Sequence, residues 1–184
     1  ETHIGVNHLG HFALTGLLFD LLKETPGSRV VTVSSVYHRM GQIDFDDLHC
    51  DEKGYGRQAA YGQSKLANLL FTKELKRKLD AAGIKMLSVA AHPGWTDTNL
   101  QQHSGAMNFL NRFVAQSPAM GALPTLYAAT APDVEGGDYY GPDGFFERAG
   151  HPEKVGTTKR ARDEVAAQEL WRVSQELTDV TYPL

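Results

Sequence analysis

The sequence holds one cysteine, Cys50, in 184 residues. No internal disulfide can form and cysteine-rich zinc frameworks are excluded, so a reducing compartment is the natural setting and the cytoplasm the expected location. Positive charge is also scarce. Eighteen Lys and Arg against 22 Asp and Glu leave a net charge of −4 at pH 7, and no basic run offers a grip on phosphate backbones or an anionic membrane surface. Nucleic acid is therefore not an expected partner. No stretch approaches the roughly 18 consecutive apolar residues of a membrane span, and no basic start leads into an apolar signal core. No glycine cluster stands between a strand and a helix as a dinucleotide-binding turn requires, so adenosine and pyrophosphate binding is not legible. With 41% hydrophobic residues, the composition fits one ordinary domain with a real core.

Ile4, Leu9, Phe12, Leu14, Leu17, Leu18 and Leu21 run at helical spacing from the first few residues, so the chain opens inside an element. A natural boundary usually falls in a polar, flexible stretch, and the expectation is the downstream part of a larger fold. The helix continues to about residue 24, where Pro26-Gly27-Ser28 stops it. Arg29-Val30-Val31-Thr32-Val33 then reads as a parallel strand buried on both faces, ending at Ser34-Ser35. Residues 36–58 turn polar and read as a long surface loop. Residues 59–82 carry an apolar stripe of Leu66, Leu69, Leu70, Leu75 and Leu79 opposite Lys73, Glu74, Lys76, Arg77 and Lys78, an amphipathic helix closed by Gly83. Residues 84–91 form a second strand, closed by His92-Pro93-Gly94. Strand, long helix, strand is a right-handed βαβ unit and implies a parallel sheet. Beyond it the pattern predicts a loop over 96–117 with a short helix near 107–114, and a small-residue helix over 118–130 interrupted at Pro124. A turn-rich stretch at 139–144 and a polar final helix over 158–179 complete the chain.

Tyr61 and Lys65 stand four apart on the long helix, so both side chains leave one face. A phenol loses its proton near pH ~10, and an adjacent ammonium favours the phenolate, which suits acid/base work. Such a pair also arises by chance, and Ser34-Ser35 on its own is equally a turn or helix cap. Placement adds weight. The serines end one parallel strand, His92-Pro93-Gly94 ends the next, and ligands in open α/β sheets bind beyond the carboxyl ends of the strands.

Taken together, these motifs resemble the short-chain dehydrogenases/reductases, in their retinol-dehydrogenase-like and WW-domain-oxidoreductase-like branch. The resemblance runs through Val6-Asn7-His8-Leu9-Gly10-His11-Phe12, Arg29 to Ser35, Tyr61-Gly62-Gln63-Ser64-Lys65-Leu66-Ala67-Asn68, His92 to Leu100 and Pro124 to Ala129. It implies an α/β fold, a doubly wound Rossmann-type parallel sheet incomplete on its N-terminal side, with residues 1–184 as the C-terminal portion of a single domain. It implies Tyr61 as general acid/base and Lys65 as the group that lowers its pKa and holds the nicotinamide ribose. Ser35, rather than Ser34, would hydrogen-bond the reacting oxygen, and Asn7 would steady a helix kink and a water in a proton relay. Val33, Pro93, Gly94, Thr96 and Thr98 would meet the nicotinamide end of NAD or NADP, with NADP slightly favoured. The implied reaction interconverts a lipophilic alcohol and its carbonyl. A homodimer through the Tyr61 helix is the implied assembly. The alternative is a truncated or regulatory chain that keeps the fold as a binding module.

Other groups weigh less. His8 and His11 are three apart on the first helix without an evident third ligand, and read as solvent or cleft histidines. Asp46, Asp47, His49, Cys50, Asp51 and Glu52 lack fixed metal spacing and read as a solvated acidic surface. No metal is expected. Trp95 and residues 99–114 are expected to flank a substrate cleft, the latter as a flap.

Overall fold

The computed structural model describes residues 2–50, 56–95 and 116–184. The opening helical run is assembled from α1 (Thr2–Ile4), a π-helical turn (Gly5–Leu9), α2 (Gly10–Leu17) and α3 (Phe19–Glu24). It covers the predicted span, but the wide turn around Asn7 bends it, as a π-turn inside a helix does. Phe12 and Phe19 are fully buried and pack with Phe71, Trp171 and Tyr182. The opposite side leaves Val6, Leu14, Leu17 and Leu21 exposed.

The sheet has the order β1-β2-β3-β4. β1 (Arg29–Val33) runs parallel to β2 (Leu87–Ala91), in register from Arg29 opposite Leu87 to Val33 opposite Ala91. β3 (Tyr139–Pro142) is parallel to β2, and β4 (Pro152–Lys154) is antiparallel to β3. Two differences from the sequence reading follow. Tyr139–Pro142, read as turn, is a buried strand, because its tyrosines pack inward despite the Gly141-Pro142 pair. β1, read as buried on both faces, is only partly covered, since it ends the sheet and meets one strand among the described residues.

The crossover helix is α4 (Arg57–Ala81). Its amphipathic pattern holds only in its second half. From Gly62 to Thr72 every residue is buried, because the sheet lies on one side and α6 (Glu164–Thr178) on another. Even Glu74, assigned to the polar stripe, is 2% exposed and is held by Arg77 at 2.6 Å. The segment read as a long surface loop begins with a 3₁₀ turn (Val36–Met40) and folds back onto α4. There the Gln63 side chain accepts from Asp44 N at 3.0 Å and donates to Leu48 O at 2.9 Å. α5 (Pro118–Thr130) runs through Pro124 without interruption. One missing amide hydrogen bond is tolerated there because Pro124 is buried and Ser117 caps the helix start, its Oγ accepting from Met120 N. The last helix starts six residues later than expected, at an Asp163 cap.

Because β1, β2 and β3 are parallel, their last residues Val33, Ala91 and Pro142 lie along one edge of the sheet. The candidate chemistry is at that edge. Among the described residues no helix is long and apolar enough to cross a membrane.

Candidate active site

Ser34 and Ser35 leave β1 in opposite directions, as successive strand residues must. Ser34 is buried, and its Oγ donates to Lys65 O at 2.8 Å, fastening the strand end to α4. Ser35 caps the turn that follows: its Oγ accepts from Tyr37 N at 3.3 Å, and its carbonyl accepts from His38 Nδ1 at 2.7 Å. The same Ser35 side chain lies close enough to the Tyr61 phenol to favour its charged form. Ser35 therefore stands beside Tyr61, whereas Ser34 fastens strand to helix.

Tyr61 is boxed by His3, with ring centroids 5.8 Å apart, and by Tyr37 at 5.5 Å, both edge-on. Burial raises its phenol above the ordinary value, the nearby Ser35 side chain pulls it back, and Tyr37 adds to the rise. The net direction is upward. The resemblance implies a Lys65 charge that lowers the phenol; Lys65 Nζ lies 5.6 Å from the ring centroid, and burial is the largest influence on Tyr61. Lys65 is itself 8% exposed, and burial lowers its pKa. Among the described residues its ammonium donates once, to Val33 O at 3.1 Å, so two of its three N–H groups stay available for a ligand.

Asn7 sits in the π-turn Gly5–Leu9. Its Nδ2 donates to Ser64 Oγ at 3.0 Å, and Ser64 Oγ donates to Tyr61 O at 2.8 Å. Asn7 therefore reaches the helix of the Tyr-Lys pair one residue before the lysine rather than the ammonium itself. Pro93 and Gly94 follow β2 at the same edge. Gly94 adopts φ +68, and a Cβ there would collide with Arg148 O, so only glycine fits. Thr96, Thr98 and the expected flap over 99–114 lie outside the described residues. Val33, 36% exposed, presents the carbonyl that receives Lys65.

Three residues were overlooked in the sequence. Asn68 donates from Nδ2 to the same Val33 O at 3.0 Å, beside Lys65. Its spacing of three from Lys65 and seven from Tyr61 was a legible signal for a shared helix face. His38, fully buried, and Tyr37 follow Ser35 in a turn that periodicity does not announce. His8, read as a solvent or cleft histidine, is instead 1% exposed and shares 2.8 Å with Ser174 Oγ, whereas His11 is exposed. Asp47 of the presumed solvated acidic surface is also buried. Two surface hollows, of about 420 and 280 Å³, are lined by residues such as Lys73 and Arg162, and Phe45 and Leu177; neither includes a candidate residue.

No family model matches the chain. Individual relatives do. It is 40% identical to human retinol dehydrogenase 13 over 194 residues, covering 100% of this chain and 55% of that protein. It is 44% identical to mouse polyprenol dehydrogenase over 188 residues, covering 97% of this chain and 53% of that protein. A solved structure of an uncharacterised protein from Mycobacterium paratuberculosis is 44% identical, with a TM-score of 0.81 over 100% of this chain and 61% of that one. A short-chain dehydrogenase structure from Pseudomonas syringae, 24% identical with a TM-score of 0.54 over 74% of this chain and 49% of that one, shares the fold. The chain belongs to the short-chain dehydrogenase family. It spans about half the length of the curated relatives it matches.

Proposed function

We propose that this chain carries the catalytic part of an NAD(P)-dependent oxidoreductase that interconverts an alcohol and a carbonyl, with residues 1–184 forming the C-terminal portion of one Rossmann-type domain. The observation that supports the proposal is the convergence of Ser35 and the Tyr61 phenol at the carboxyl edge of the parallel sheet, with Lys65 one helical turn further along α4. The residues fit a nicotinamide dinucleotide. Lys65 has donors to spare for a ribose, and the glycine-only turn at Gly94 brings backbone close to the same edge. Val33, Pro93, Thr96 and Thr98 complete the proposed contacts. When bound, the dinucleotide supplies or accepts the hydride.

The chain's own residues supply the rest. In the reducing direction Ser35 Oγ donates a hydrogen bond to the carbonyl oxygen and Tyr61 passes its phenolic proton to that oxygen. The phenolate left behind regains a proton through Lys65 and the relay anchored at Asn7. In the oxidising direction Tyr61 takes the alcohol proton. The raised phenol favours its role as acid, and the Lys65 ammonium makes the phenolate more accessible than it would be without that charge. A lipophilic substrate is supported by relatives named for retinol and polyprenol, and NADP over NAD by the resemblance alone. A cytoplasmic setting rests on the single cysteine. A homodimer through α4 belongs to the same proposal, using the helix ends that the fold leaves exposed, among them Arg57, Arg77 and Asp80.

The test is Tyr61→Phe in the full-length protein, which removes the transferable proton and keeps the ring. Turnover of an aliphatic or polyene alcohol is expected to fall by at least ~10², with dinucleotide affinity within about threefold of wild type. Turnover within threefold of wild type overturns the assignment.

A further inference from the structure

Beyond β3 the chain makes a short hook, Phe145–Glu147, at the same sheet edge as Ser35 and Gly94. Its backbone is unusual. Phe146 and Glu147 have φ of 53° and 55°, left-handed values at two successive residues that carry side chains. Strain of that kind persists only where the surroundings over-determine it, and it concentrates where geometry matters to function.

The Glu147 carboxylate makes two bonds. Oε1 accepts from Arg39 Nη2 at 2.5 Å, and Oε2 pairs with His92 Nε2 at 3.0 Å. On the far side of the same imidazole, Nδ1 meets Gly94 N at 3.2 Å. A backbone amide only donates, so this network assigns Nδ1 as a bare acceptor and puts the ring hydrogen on Nε2, facing Glu147. Burial alone would raise the Glu147 carboxyl, but His92 and Arg39 together hold it below the ordinary carboxylate value, so it stays charged. His92 is 1% exposed and lies against Tyr139 with ring centroids 5.2 Å apart. Gly141 leaves the room: a Cβ there would run into the His92 ring. The hook also grips the turn through backbone, since Trp95 N donates to Arg148 O at 2.6 Å.

We propose that Glu147 and His92 are positioning residues for the cofactor turn. The carboxylate fixes the imidazole tautomer, the imidazole holds the Gly94 amide, and Arg39 ties both to the turn that Ser35 caps. One side chain thereby sets the spacing between the segment proposed to meet the nicotinamide and the segment proposed to meet the reacting oxygen. This is the outer-layer orientation of a histidine by a carboxylate that also governs metal sites, applied to a backbone amide. The inference rests on the oxidoreductase reading above for its cofactor role, and on geometry alone for the tautomer.

Two measurements on the full-length protein test it. Nitrogen-15 histidine spectra of the wild type, recorded without cofactor, are expected to show His92 with its hydrogen on Nε2, and Glu147→Ala is expected to lose that single tautomer. With NADPH and NADH as probes, Glu147→Ala is expected to raise the dinucleotide KM about tenfold with kcat at saturation within about threefold, and Glu147→Gln, which keeps an acceptor for Nε2–H, to recover most of the loss. A wild-type His92 protonated on Nδ1 overturns the relay without recourse to any variant. So does an unchanged tautomer or an unchanged dinucleotide KM in Glu147→Ala. Wild-type protein that binds neither dinucleotide overturns the oxidoreductase reading and the cofactor role with it, whereas a failed tautomer measurement overturns the relay alone.

Discussion

Acid should unfold this protein partly through one histidine of the core. His8 lies beside Phe12 and Phe71, with ring centroids 6.3 and 6.2 Å away, and shares a 2.8 Å contact with Ser174. Burial lowers its pKa from 6.5 to about 4, the neighbouring Asn68 side chain opposes the fall, and the charge on His11 adds to it. The folded pKa is depressed, so the unfolded chain binds the proton more readily. The stabilisation is fully present above pH 6.5 and is lost as the pH falls from 6.5 through 4. At about 1.4 kcal/mol per pH unit, the whole window is worth about 3 kcal/mol, most of which is gone by pH 4.5. For a domain whose stability is typically ~5–15 kcal/mol, that is a large share. Urea unfolding of the full-length protein and of His8→Gln at pH 7.5 and 4.5 isolates the effect, because carboxylates and the other histidines contribute equally to both proteins. The variant starts less stable, through its loss of packing, but should lose about 2–3 kcal/mol less on acidification. An acid loss in His8→Gln within about 0.5 kcal/mol of the wild-type loss refutes the reasoning, as does an NMR titration of His8 near 6.5.

Two further outcomes follow from the site. Lys65→Met removes the charge beside Tyr61 and a donor for the ribose, so the pH optimum of alcohol oxidation should move upward and dinucleotide affinity should weaken; an active variant with an unshifted pH profile confines the lysine to binding. Gly141→Ala places a methyl group against the buried His92 ring, and chemical denaturation should register a loss of about 1–3 kcal/mol; a variant as stable as wild type shows that the ring has room to move.

Much of this site was legible because its parts are punctuated. Ser34-Ser35 and His92-Pro93-Gly94 end strands whose β-branched or apolar runs are short and bounded, and the Tyr61–Lys65 pair rides a helix long enough to read from its leucines. The βαβ order then forces all three to one edge of the sheet. What could not be read depends on partners distant in sequence. The stretch of α4 from Gly62 to Thr72 is buried on all sides because sheet and α6 both cover it, and no local pattern tells Gln63, Asn68 or Thr72 that their polar ends will meet backbone carbonyls or amides rather than water. Tyr139–Pro142 carries turn residues and still forms a strand, since pairing with Ala90 and Ala91 and inward packing of both tyrosines outweigh local preference.

The same distinction explains why the sign of the Tyr61 shift was misjudged. From sequence, only the neighbour four residues away is visible, and its charge pulls the phenol down. Folding adds burial against α4 and the sheet, together with Tyr37 from the turn after β1, and both oppose the charged form. The lysine is buried by the same wall, and its own pKa moves down with it. Each group therefore disfavours its charged state until something polar enters the edge. A ligand that brings a ribose hydroxyl to Lys65 and an oxygen to Ser35 and Tyr61 supplies that polarity, so the two pKa values should shift toward the ion pair on cofactor binding.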